Sequence, residues 1–263
     1  MLSAQELFQL IKKLQADQKE RSLNNSFVIE GQKVVFEFLM QNIPLRYLIF
    51  DKKRIECDTN LASILSLAER QGIPCLLIRK ARFAGLSTVK TPQGVIAVVS
   101  LKKYSLKNIL KKESVLIAVG DNIQNPINAG ILVRNSIAFG LDMLIFTKNS
   151  VDVFSPKALR TASGCIVELP IFYLTDNDLV ALKQEGVRFY SSVLGVKRPL
   201  SSIRAVSKKT ALVFGNEGEG ISDRLKMESD ILFHIPISQK IDSLNITSAA
   251  AVIMYHFAGL KSR

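Results

Sequence analysis

The sequence has few of the residues from which metal and redox sites are built. Its three cysteines, Cys57, Cys75 and Cys165, lie far apart and lack the CxxC spacing of a zinc or redox site. We expect them to be reduced thiols in a cytosolic protein. The two histidines, His234 and His256, lie in apolar segments, which predicts hydrogen-bonded core or surface side chains. The sequence therefore predicts a function without a metal.

Long apolar runs are also absent. No stretch approaches the roughly 18 to 20 uninterrupted apolar residues that a membrane-spanning helix needs. The first 20 residues mix Glu6, Asp17 and Glu20 with lysines, which predicts an amphipathic helix rather than a secretory signal. Apolar residues make up 48% of the chain, enough for packed cores. We therefore expect a globular cytoplasmic protein with no membrane partner.

The charge is unevenly distributed along the chain. Residues 1–112 hold 19 Lys/Arg and 9 Asp/Glu, a formal charge of +10, whereas residues 113–263 hold 16 and 14, a charge of only +2. This imbalance is typical of a polyanion-binding module joined to a nearly neutral catalytic module, since contacts with phosphates supply affinity that is independent of base sequence. A solvated basic surface without a partner would show the same charge.

A lysine-rich segment, LKKYSLKNILKKE, interrupts the apolar pattern between residues 101 and 113 and is predicted to be a linker, with room for a short helix. We therefore divide the chain into residues 1–105 and 106–263. In the first part, an amphipathic helical pattern precedes the strand-like runs FVIE, RYLIFD, PCLLIR and GVIAVVS. Helix-like segments separate these runs, which predicts a small α/β domain.

The second part alternates in the same way. The strand-like runs are VLIAVGD, DMLIFT, VRFYSSV, TALVFGN and DILFHIPI, with helical patterns around NAGILVRNSIAFG, PKALRTAS and ITSAAAVIMYHFAG. Continuous apolar strands separated by helices predict a mostly parallel sheet that is covered on both faces. In such sheets, ligands bind beyond the carboxyl ends of the strands.

The first segment with chemical potential is NPINAG, residues 125–130, which directly follows a predicted strand. Asn128 is placed to cap the following helix. Arg134 shares a helical face with Ile127 and Ile131, and a guanidinium on an apolar stripe requires a partner or a polar cleft. An arginine that snorkels from the edge of the stripe into solvent is the alternative.

The second segment is a glycine-rich loop, GNEGEG, at residues 215–220. Its glycines allow close approach of the backbone to a ligand. Glu217 and Glu219 would repel a pyrophosphate, and neither GxGxxG nor a P-loop ending is present, so the loop is a poor nucleotide-phosphate site. A cofactor with a sulfonium cation, such as S-adenosylmethionine, is electrostatically compatible with it. A solvated acidic turn is the alternative.

The third segment is a predicted strand at Ile235-Pro236-Ile237, followed by a loop through Asp242 to the last helix. Pro236 limits the hydrogen bonding of a strand ladder and leaves nearby backbone groups available to a ligand. Ser243, Asn245 and Ser248 have helix-capping chemistry, which is the structural alternative to a binding role.

In order and spacing, these segments resemble the three motifs of the SpoU (TrmH-like) branch of the SPOUT RNA methyltransferases, over about residues 113–259. The matching residues are Asn125, Pro126, Asn128, Gly130, Arg134 and Gly140 in the first motif, Gly215, Asn216, Glu217 and Gly220 in the second, and Ile235, Pro236, Ser243, Leu244 and Asn245 in the third. Asn125 departs from the pattern, since many members have Asp there. Residues 160–164 are similar to the family's Ser-Gly segment. Residues 21–31 and 91–94 resemble its N-terminal L30e-like substrate-binding domain.

The resemblance implies an α/β fold with two domains: a small L30e-like α/β domain, and a SPOUT α/β domain whose mostly parallel sheet contains a deep trefoil knot. That knot is a rare exception to the usual rules of chain topology. It also implies bound S-adenosylmethionine and a homodimer packed through the knot. The implied catalytic residues are Arg134, Asn128, Glu217 and Asn245, and the implied cofactor-binding residues are Gly215, Ile235, Leu244, Val193, Leu194, Asn216, Pro236 and Asn245.

The implied reaction is methyl transfer to a ribose 2′-hydroxyl of structured RNA, and the added N-terminal domain favours rRNA of the 23S type over tRNA. A guanidinium is a poor general base because it holds its proton strongly, so we expect Arg134 to bind a phosphate or the developing oxyanion, oriented by Glu217 and Asn245. The sequence does not identify the residue that acts as general base. A non-catalytic RNA-binding protein with the same fold is the alternative, against which the intact Arg134, Glu217 and Asn245 speak. A nicotinamide-dependent oxidoreductase is a further alternative, but the sequence lacks the glycine-rich phosphate-binding fingerprint of that class.

Overall fold

The structure, a computed structural model, describes residues 2–261. The chain divides into an N-terminal unit, residues 1–103 and 154–167, and a C-terminal unit, residues 104–153 and 168–263. The segment 154–167, which the sequence analysis assigned to the second domain, thus belongs to the N-terminal unit. Its Phe154 ring lies 5.2 Å from the ring of Phe27. The functional domain boundary at residues 105 and 106 stays a prediction.

The N-terminal unit is a mixed four-stranded sheet with helices. Its helices are α1 (Ala4–Ala16), α2 (Gln18–Asn24), α3 (Gln32–Met40), α4 (Lys52–Ile55), α5 (Thr59–Arg70), α6 (Lys80–Ala84) and α9 (Pro156–Ala162), with a 3-10 turn at Cys165–Val167. Its strands are β1 (Ser26–Glu30), β2 (Leu45–Asp51), β3 (Cys75–Ile78) and β4 (Val95–Ser100), in the order β1-β4-β2-β3. Strand β4 is antiparallel to β1 and β2, and β3 is parallel to β2.

Helix α1 forms where its amphipathic pattern predicts. Ser3 and Glu6 make a capping box at its start, which satisfies backbone N–H groups that the first turn leaves free. Its apolar face, with Leu7, Ile11 and Leu14, is buried in the core of the N-terminal unit. This confirms the predicted amphipathic helix.

The C-terminal unit is a six-stranded parallel sheet. Its helices are α7 (Leu106–Leu110), α8 (Pro126–Ala138), α10 (Asp176–Gln184), α11 (Asp223–Met227) and α12 (Ile246–Lys261), with a 3-10 turn at Leu200–Ser202. Its strands are β5 (Val115–Gly120), β6 (Met143–Thr147), β7 (Ile171–Leu174), β8 (Arg188–Ser192), β9 (Lys209–Phe214) and β10 (Ile231–Phe233), in the order β10-β8-β9-β5-β6-β7. Every neighbouring pair is parallel, which confirms the predicted sheet.

Three features of this unit differ from the sequence prediction. Strand β7 and helix α10 were not identified, although the capping box of Thr175 and Asp178 marks the start of α10. The predicted strand at Ile235-Pro236-Ile237 was wrong, because β10 ends at Phe233. Pro236 has no N–H for a sheet ladder, so the strand ends before it.

Among residues 2–261, no helix is both long and apolar enough to cross a membrane.

Asp142, four residues beyond the end of α8, ties separate parts of the C-terminal unit together. Its carboxylate accepts hydrogen bonds from the backbone N–H of Leu116 (2.8 Å), from Lys112 Nζ (2.9 Å) and from Lys261 Nζ (2.8 Å). Burial raises the pKa of Asp142, but the hydrogen bonds outweigh burial and hold the pKa below its ordinary value. The folded state therefore favours the ionised carboxylate.

We expect Asp142→Asn to lower the free energy of unfolding at neutral pH by about 1 to 3 kcal/mol, because charge-assisted hydrogen bonds are lost. A carboxyl whose pKa is lowered on folding adds stability above its unfolded pKa of about 3.9, and this stability is lost as pH falls through the folded pKa. Urea unfolding at neutral pH and at about pH 3 checks this, since the gap between wild type and variant should shrink in acid. A gap that widens in acid would contradict the assignment. Glu113→Gln, at an exposed pair with Lys208, is the control and should change stability little.

Candidate active site

The carboxyl ends of three adjacent strands open into a cleft of about 350 Å³ in the C-terminal unit. We call it the strand-end cleft. Its walls come from the residues that follow β8, β9 and β10 and from the loop before α12; they include Val193, Leu194, Gly215, His234, Ile235 and Leu244. The position is where ligands bind in parallel α/β sheets, because loops diverge there and leave a crevice. The volume falls within the usual range for small-molecule sites, roughly 300 to 1,000 Å³.

The loop after β9 is closed by hydrogen bonds of its own backbone. The N–H of Asn216 donates to the carbonyl of Gly220 (2.8 Å), and the N–H of Gly220 donates to the carbonyl of Asn216 (2.9 Å). The Asn216 side chain accepts from the N–H of Gly218 (2.8 Å) and donates to the carbonyl of Asn122 (2.9 Å). These hydrogen bonds hold the loop in its place at the wall of the cleft.

Gly215 is required by close approach of two backbone segments. A Cβ atom at this position would collide with the backbone carbonyl group of Gly220 and the backbone nitrogen of Ile221. Gly220 itself has a φ of +71°, in the left-handed region that favours glycine. The glycines of the second motif thus let the loop fold back closely on itself and form a glycine cradle that lines the cleft.

Three predicted catalytic residues meet at this loop. Glu217 Oε1 accepts a hydrogen bond from Asn128 Nδ2 (3.1 Å) and a second one from Asn245 Nδ2. Asn245 also accepts from the N–H of Thr247 at 2.9 Å, so one side chain caps α12 and holds Glu217. We call Asn128, Glu217 and Asn245 the amide–carboxylate cluster. Glu217 Oε2 has no hydrogen-bond partner within residues 2–261.

The cap of α8 is Asn125 rather than Asn128, so that prediction was wrong. Asn125 Oδ1 accepts from the N–H of Ile127 at 2.9 Å, and Pro126 occupies the first helical position, where its missing N–H costs nothing. Asn128 lies inside the first turn and is buried. Because the cap is supplied three residues earlier, the Asn128 amide is available to Glu217.

Arg134 lies apart from the cluster within one chain. Its side chain is exposed, and no residue between 2 and 261 hydrogen-bonds or pairs with it. It follows Asn128 by six positions, which places it about 9 Å further along α8 and on a different face. The partners of Glu217 and Asn245 are each other, Asn128 and Thr247, so the expectation that Glu217 and Asn245 orient Arg134 is not met within the chain.

The two histidines differ in how their rings are satisfied. His256 Nε2 lies 2.9 Å from the carbonyl oxygen of Ile203, as the sequence predicts for a core histidine. His234 lines the strand-end cleft, and its Nδ1 atom is buried without a hydrogen-bond partner in the described structure. A buried polar atom in this state costs about 1 to 3 kcal/mol. The prediction that His234 is a hydrogen-bonded side chain is therefore not met at Nδ1.

Most of the predicted cofactor-binding residues line the cleft. Val193, Leu194, Gly215, Asn216, Ile235 and Leu244 do so. Pro236 is exposed outside the lining, and Asn245 belongs to the amide–carboxylate cluster. Apolar walls, the two loop carboxylates Glu217 and Glu219 and the glycine cradle fit a ligand that combines an aromatic base with a cationic group.

These features define an α/β protein with a small-molecule cleft and a polar side-chain cluster at the strand ends of one unit. The chain belongs to the SpoU rRNA Methylase family, whose description matches residues 115–255. Residues 8–97 match the MRM3-like substrate binding domain.

Individual relatives agree with this family. The chain is 32% identical over 243 residues, 92% of each sequence, to the 23S rRNA (guanosine(2553)-2′-O)-methyltransferase RlmP of Bacillus subtilis. It is 28% identical to the 23S rRNA (guanosine-2′-O-)-methyltransferase RlmB of Nitrosomonas europaea, over 77% of this chain and 82% of that one. The SpoU methyltransferase AviRb of Streptomyces viridochromogenes, solved with AdoMet, superimposes with a TM-score of 0.83 at 23% identity over 98% of both chains. These similarities confirm the predicted family and the two-domain α/β fold.

Proposed function

We propose that this protein is an S-adenosylmethionine-dependent methyltransferase that modifies a ribose 2′-hydroxyl of RNA, with 23S-type rRNA as its substrate. The main support for this proposal is the amide–carboxylate cluster beside the strand-end cleft. The chain that contains this cluster matches RlmP over 92% of its length. We infer the substrate from the relatives, which are named as 23S rRNA 2′-O-methyltransferases. The cofactor comes from the AdoMet-bound AviRb structure and from the fit of the cleft.

The residues of the chain then take distinct parts in the reaction. S-adenosylmethionine, held by the residues that line the strand-end cleft, would supply a methyl group on a sulfonium centre. Transfer to the ribose 2′-oxygen would break the S–C bond and release S-adenosylhomocysteine, and the hydroxyl proton would pass to an acceptor at the site or to water. The apolar walls of the cleft exclude water, and Glu217 and Glu219 place negative potential near a cation. Glu217 Oε1 is already occupied by Asn128 and Asn245, so Oε2 is the acceptor available to the substrate hydroxyl or to an arginine. The guanidinium of Arg134 binds an RNA phosphate or the developing oxyanion.

A basic edge of the N-terminal sheet supports RNA as the partner. Strands β1, β2 and β3 run in the same direction, opposite to β4, so their carboxyl ends and the start of β4 share one edge. Eight exposed cations follow or precede the strands there: Lys33, Lys52, Lys53, Arg54, Arg79, Lys80, Arg82 and Lys90. Five of them, Lys52, Lys53, Arg79, Lys80 and Lys90, have no side-chain partner within residues 2–261. Unpaired surface cations of this kind bind phosphates.

We expect the triple variant Lys52→Gln, Lys53→Gln, Lys80→Gln to weaken binding of deproteinised 23S rRNA. The slope of log affinity against log salt concentration should fall by about 2 to 3, since three phosphate contacts are lost. Fluorescence polarisation at several salt concentrations measures this slope. The matched control Lys19→Gln, Arg70→Gln, Lys103→Gln removes the same charge at the opposite edge and should keep the wild-type slope. Equal slopes in the two triple variants would refute the basic edge as the RNA-binding face.

We also propose a homodimer, supported by an unusual exposed stripe on the C-terminal unit. On α12, the exposed residues Ser248, Val252, Tyr255 and Gly259 follow one face, and Val252 and Tyr255 are 44% and 72% exposed. On α8, Ile127 is 39% exposed and shares its face with Arg134. Exposed apolar stripes on neighbouring helices are typical of a surface that another chain covers. A second copy that covers Ile127 would also lie beside Arg134, which shares the same face of α8.

Two further properties belong to the same proposal. A trefoil knot in the C-terminal unit is supported by membership of the SpoU family and by the similarity to AviRb. A cytoplasmic location follows from the proposed rRNA substrate.

The test of the proposed function is mass-spectrometric mapping of 2′-O-methylated nucleotides in rRNA and tRNA from cells with and without the gene. We expect one site in 23S-type rRNA to disappear with the gene and to return when the purified protein acts on that rRNA with S-adenosylmethionine. If no site changes and calorimetry detects no binding of S-adenosylmethionine, the non-catalytic RNA-binding reading replaces this one.

A further inference from the structure

A second cleft, of about 710 Å³, opens at the carboxyl ends of β5, β6 and β7 in the C-terminal unit. We call it the polar cleft. Its lining includes Asn122 after β5, Lys148 and Asn149 after β6, Asp176 after β7, and Arg224 in α11. It lies at the same edge of the parallel sheet as the strand-end cleft, which is the edge where ligands of such sheets bind. None of the residues assigned above to catalysis or to cofactor binding lines it in the described structure.

The turn after β6, which forms one wall of the polar cleft, is fixed by hydrogen bonds from the loop after β5. The N–H of Asn122 donates to Thr147 Oγ1 (2.8 Å), and the N–H of Ile123 donates to Ser150 Oγ (3.0 Å). The next residue, Gln124, donates from Nε2 to the carbonyl of the residue at position 149 (2.7 Å). Three consecutive residues thus hold the turn in place. The chain itself therefore sets the shape of this wall, which is usual for ligand sites.

Asn122 connects the polar cleft to the strand-end cleft. Its Nδ2 donates to Glu219 Oε2 (3.3 Å), and its carbonyl accepts from Asn216 Nδ2 (2.9 Å). Asn216 and Glu219 line the strand-end cleft, whereas Asn122 lines the polar cleft. The loop after β9 continues to Ser222, which also lines the polar cleft. One loop thus borders both clefts, and the same loop carries Glu217 of the amide–carboxylate cluster.

The lining of the polar cleft suits a nucleobase better than a phosphate. It contains two cations, Lys148 and Arg224, and two carboxylates, Asp121 and Asp176, so its formal charges cancel. Arg224 Nη2 lies 2.5 Å from Asp176 Oδ1. The amide of Asn149 offers both donors and an acceptor to the edge of a base. Phosphate binding depends on an excess of cations, whereas unstacked RNA bases are recognised through hydrogen bonds to their edges.

We propose that the polar cleft receives an unstacked base of the RNA substrate, at or directly beside the methylated nucleotide. This inference rests on the proposed function, since it requires RNA as the substrate. Lys148 and Asn149 contact the base. Because the loop that borders the cleft also carries Glu217, a base held there positions the neighbouring ribose for methyl transfer.

The double variant Lys148→Ala, Asn149→Ala removes both side chains from the polar cleft. Both are exposed and make no side-chain hydrogen bond or ion pair within residues 2–261, so the fold and the Kd of S-adenosylmethionine should be unchanged. We expect kcat/KM for an RNA fragment that spans the mapped methylation site to fall about tenfold. The matched control Lys107→Ala, Asn108→Ala removes the same two side chains from exposed positions on α7, outside the polar cleft, and should keep the wild-type kcat/KM.

RNA fragments that lack one base locate the contact. Each fragment keeps every ribose 2′-hydroxyl and lacks the base of the methylated nucleotide or of its 5′ or 3′ neighbour. At one of these positions, loss of the base should lower kcat/KM about tenfold in the wild type and little in the double variant, whose contact is already lost. The control variant should show the full wild-type loss. Losses that multiply at all three positions would overturn the inference, as would a double variant with wild-type kcat/KM on the intact fragment.

The same measurements separate this inference from two other outcomes. A contact with a phosphate would persist in an RNA that lacks the base, so its loss would multiply with loss of the base, and the base-binding role would be refuted. If the wild-type protein methylates no RNA and binds no S-adenosylmethionine, the proposed function fails together with this inference. If the wild-type protein methylates the intact fragment but the losses multiply, only the role of the polar cleft is overturned.

Discussion

Arg134→Ala should lower the single-turnover rate of methyl transfer about 100- to 1,000-fold, the usual cost of removing one donor that stabilises developing negative charge. The Kd of S-adenosylmethionine should stay within about twofold of the wild-type value, because Arg134 does not line the strand-end cleft. Its side chain has no partner to lose within residues 2–261, so the fold should be unaffected. Rapid-quench assays with rRNA and calorimetry with the cofactor measure the two quantities.

Two controls make this result specific. Arg134→Lys keeps the positive charge without the planar fork and should recover part of the rate. Sedimentation velocity checks that both variants keep the oligomeric state of the wild type. A wild-type single-turnover rate in Arg134→Ala would remove this residue from the mechanism.

Arg134 and Asn128 lie on different faces of α8, so the proposed dimer raises the question of which chain supplies the arginine. Mixing Arg134→Ala protomers with Glu217→Ala protomers answers it. If Arg134 acts on the site of the other chain, random reassociation restores about a quarter of the wild-type activity, because half of the dimers regain one intact site. If it acts within its own chain, the mixture stays inactive.

Gly215→Ala should abolish measurable cofactor binding. Its Cβ would collide with backbone atoms of Gly220 and Ile221, which cannot rotate away as a side chain could. Relief of the collision would separate the paired backbones of Asn216 and Gly220 and move Glu217 away from Asn128 and Asn245. We also expect a loss of about 1 to 3 kcal/mol in the free energy of unfolding.

Gly218→Ala is the matched control in the same loop. Its nearest neighbour would be Asn216 Oδ1 at 3.5 Å, an ordinary van der Waals contact. Calorimetry with S-adenosylmethionine and urea unfolding should therefore find Gly218→Ala close to wild type. Equal losses in both alanine variants would mean that general rigidity of the loop, and not the close approach at Gly215, controls the site.

Local patterns in the sequence identified most of the elements. The amphipathic pattern of α1 and the apolar runs of β5 and β9 act over a few residues, so their effects can be read from the chain itself. Strand β10 was predicted too long because apolar residues continue past its end, and only pairing with β8 shows that it stops at Phe233.

In the candidate site, too, local patterns identified the residues, whereas their contacts depend on the tertiary structure. The sequence pointed to Asn128, Glu217 and Asn245, but it predicted that Asn128 caps a helix and that Glu217 orients Arg134. Glu217 meets residues 89 and 28 positions away, and such contacts depend on which strands are neighbours. Strand β5 pairs with β9, so the first motif, which follows β5, lies beside the second motif, which follows β9.

By itself, the sequence determined the class of fold, the family and the chemical groups that the site contains, because these follow from periodicity, composition and short motifs. Only the tertiary structure decided how those groups are used. In the folded chain, Asn128 donates a hydrogen bond to Glu217, and the side chain of Arg134 is exposed. The Nδ1 atom of His234 has no hydrogen-bond partner among the described residues, and residues 154–167 belong to the N-terminal unit. These outcomes depend on contacts between distant segments, which strand order and packing fix and which no local pattern encodes.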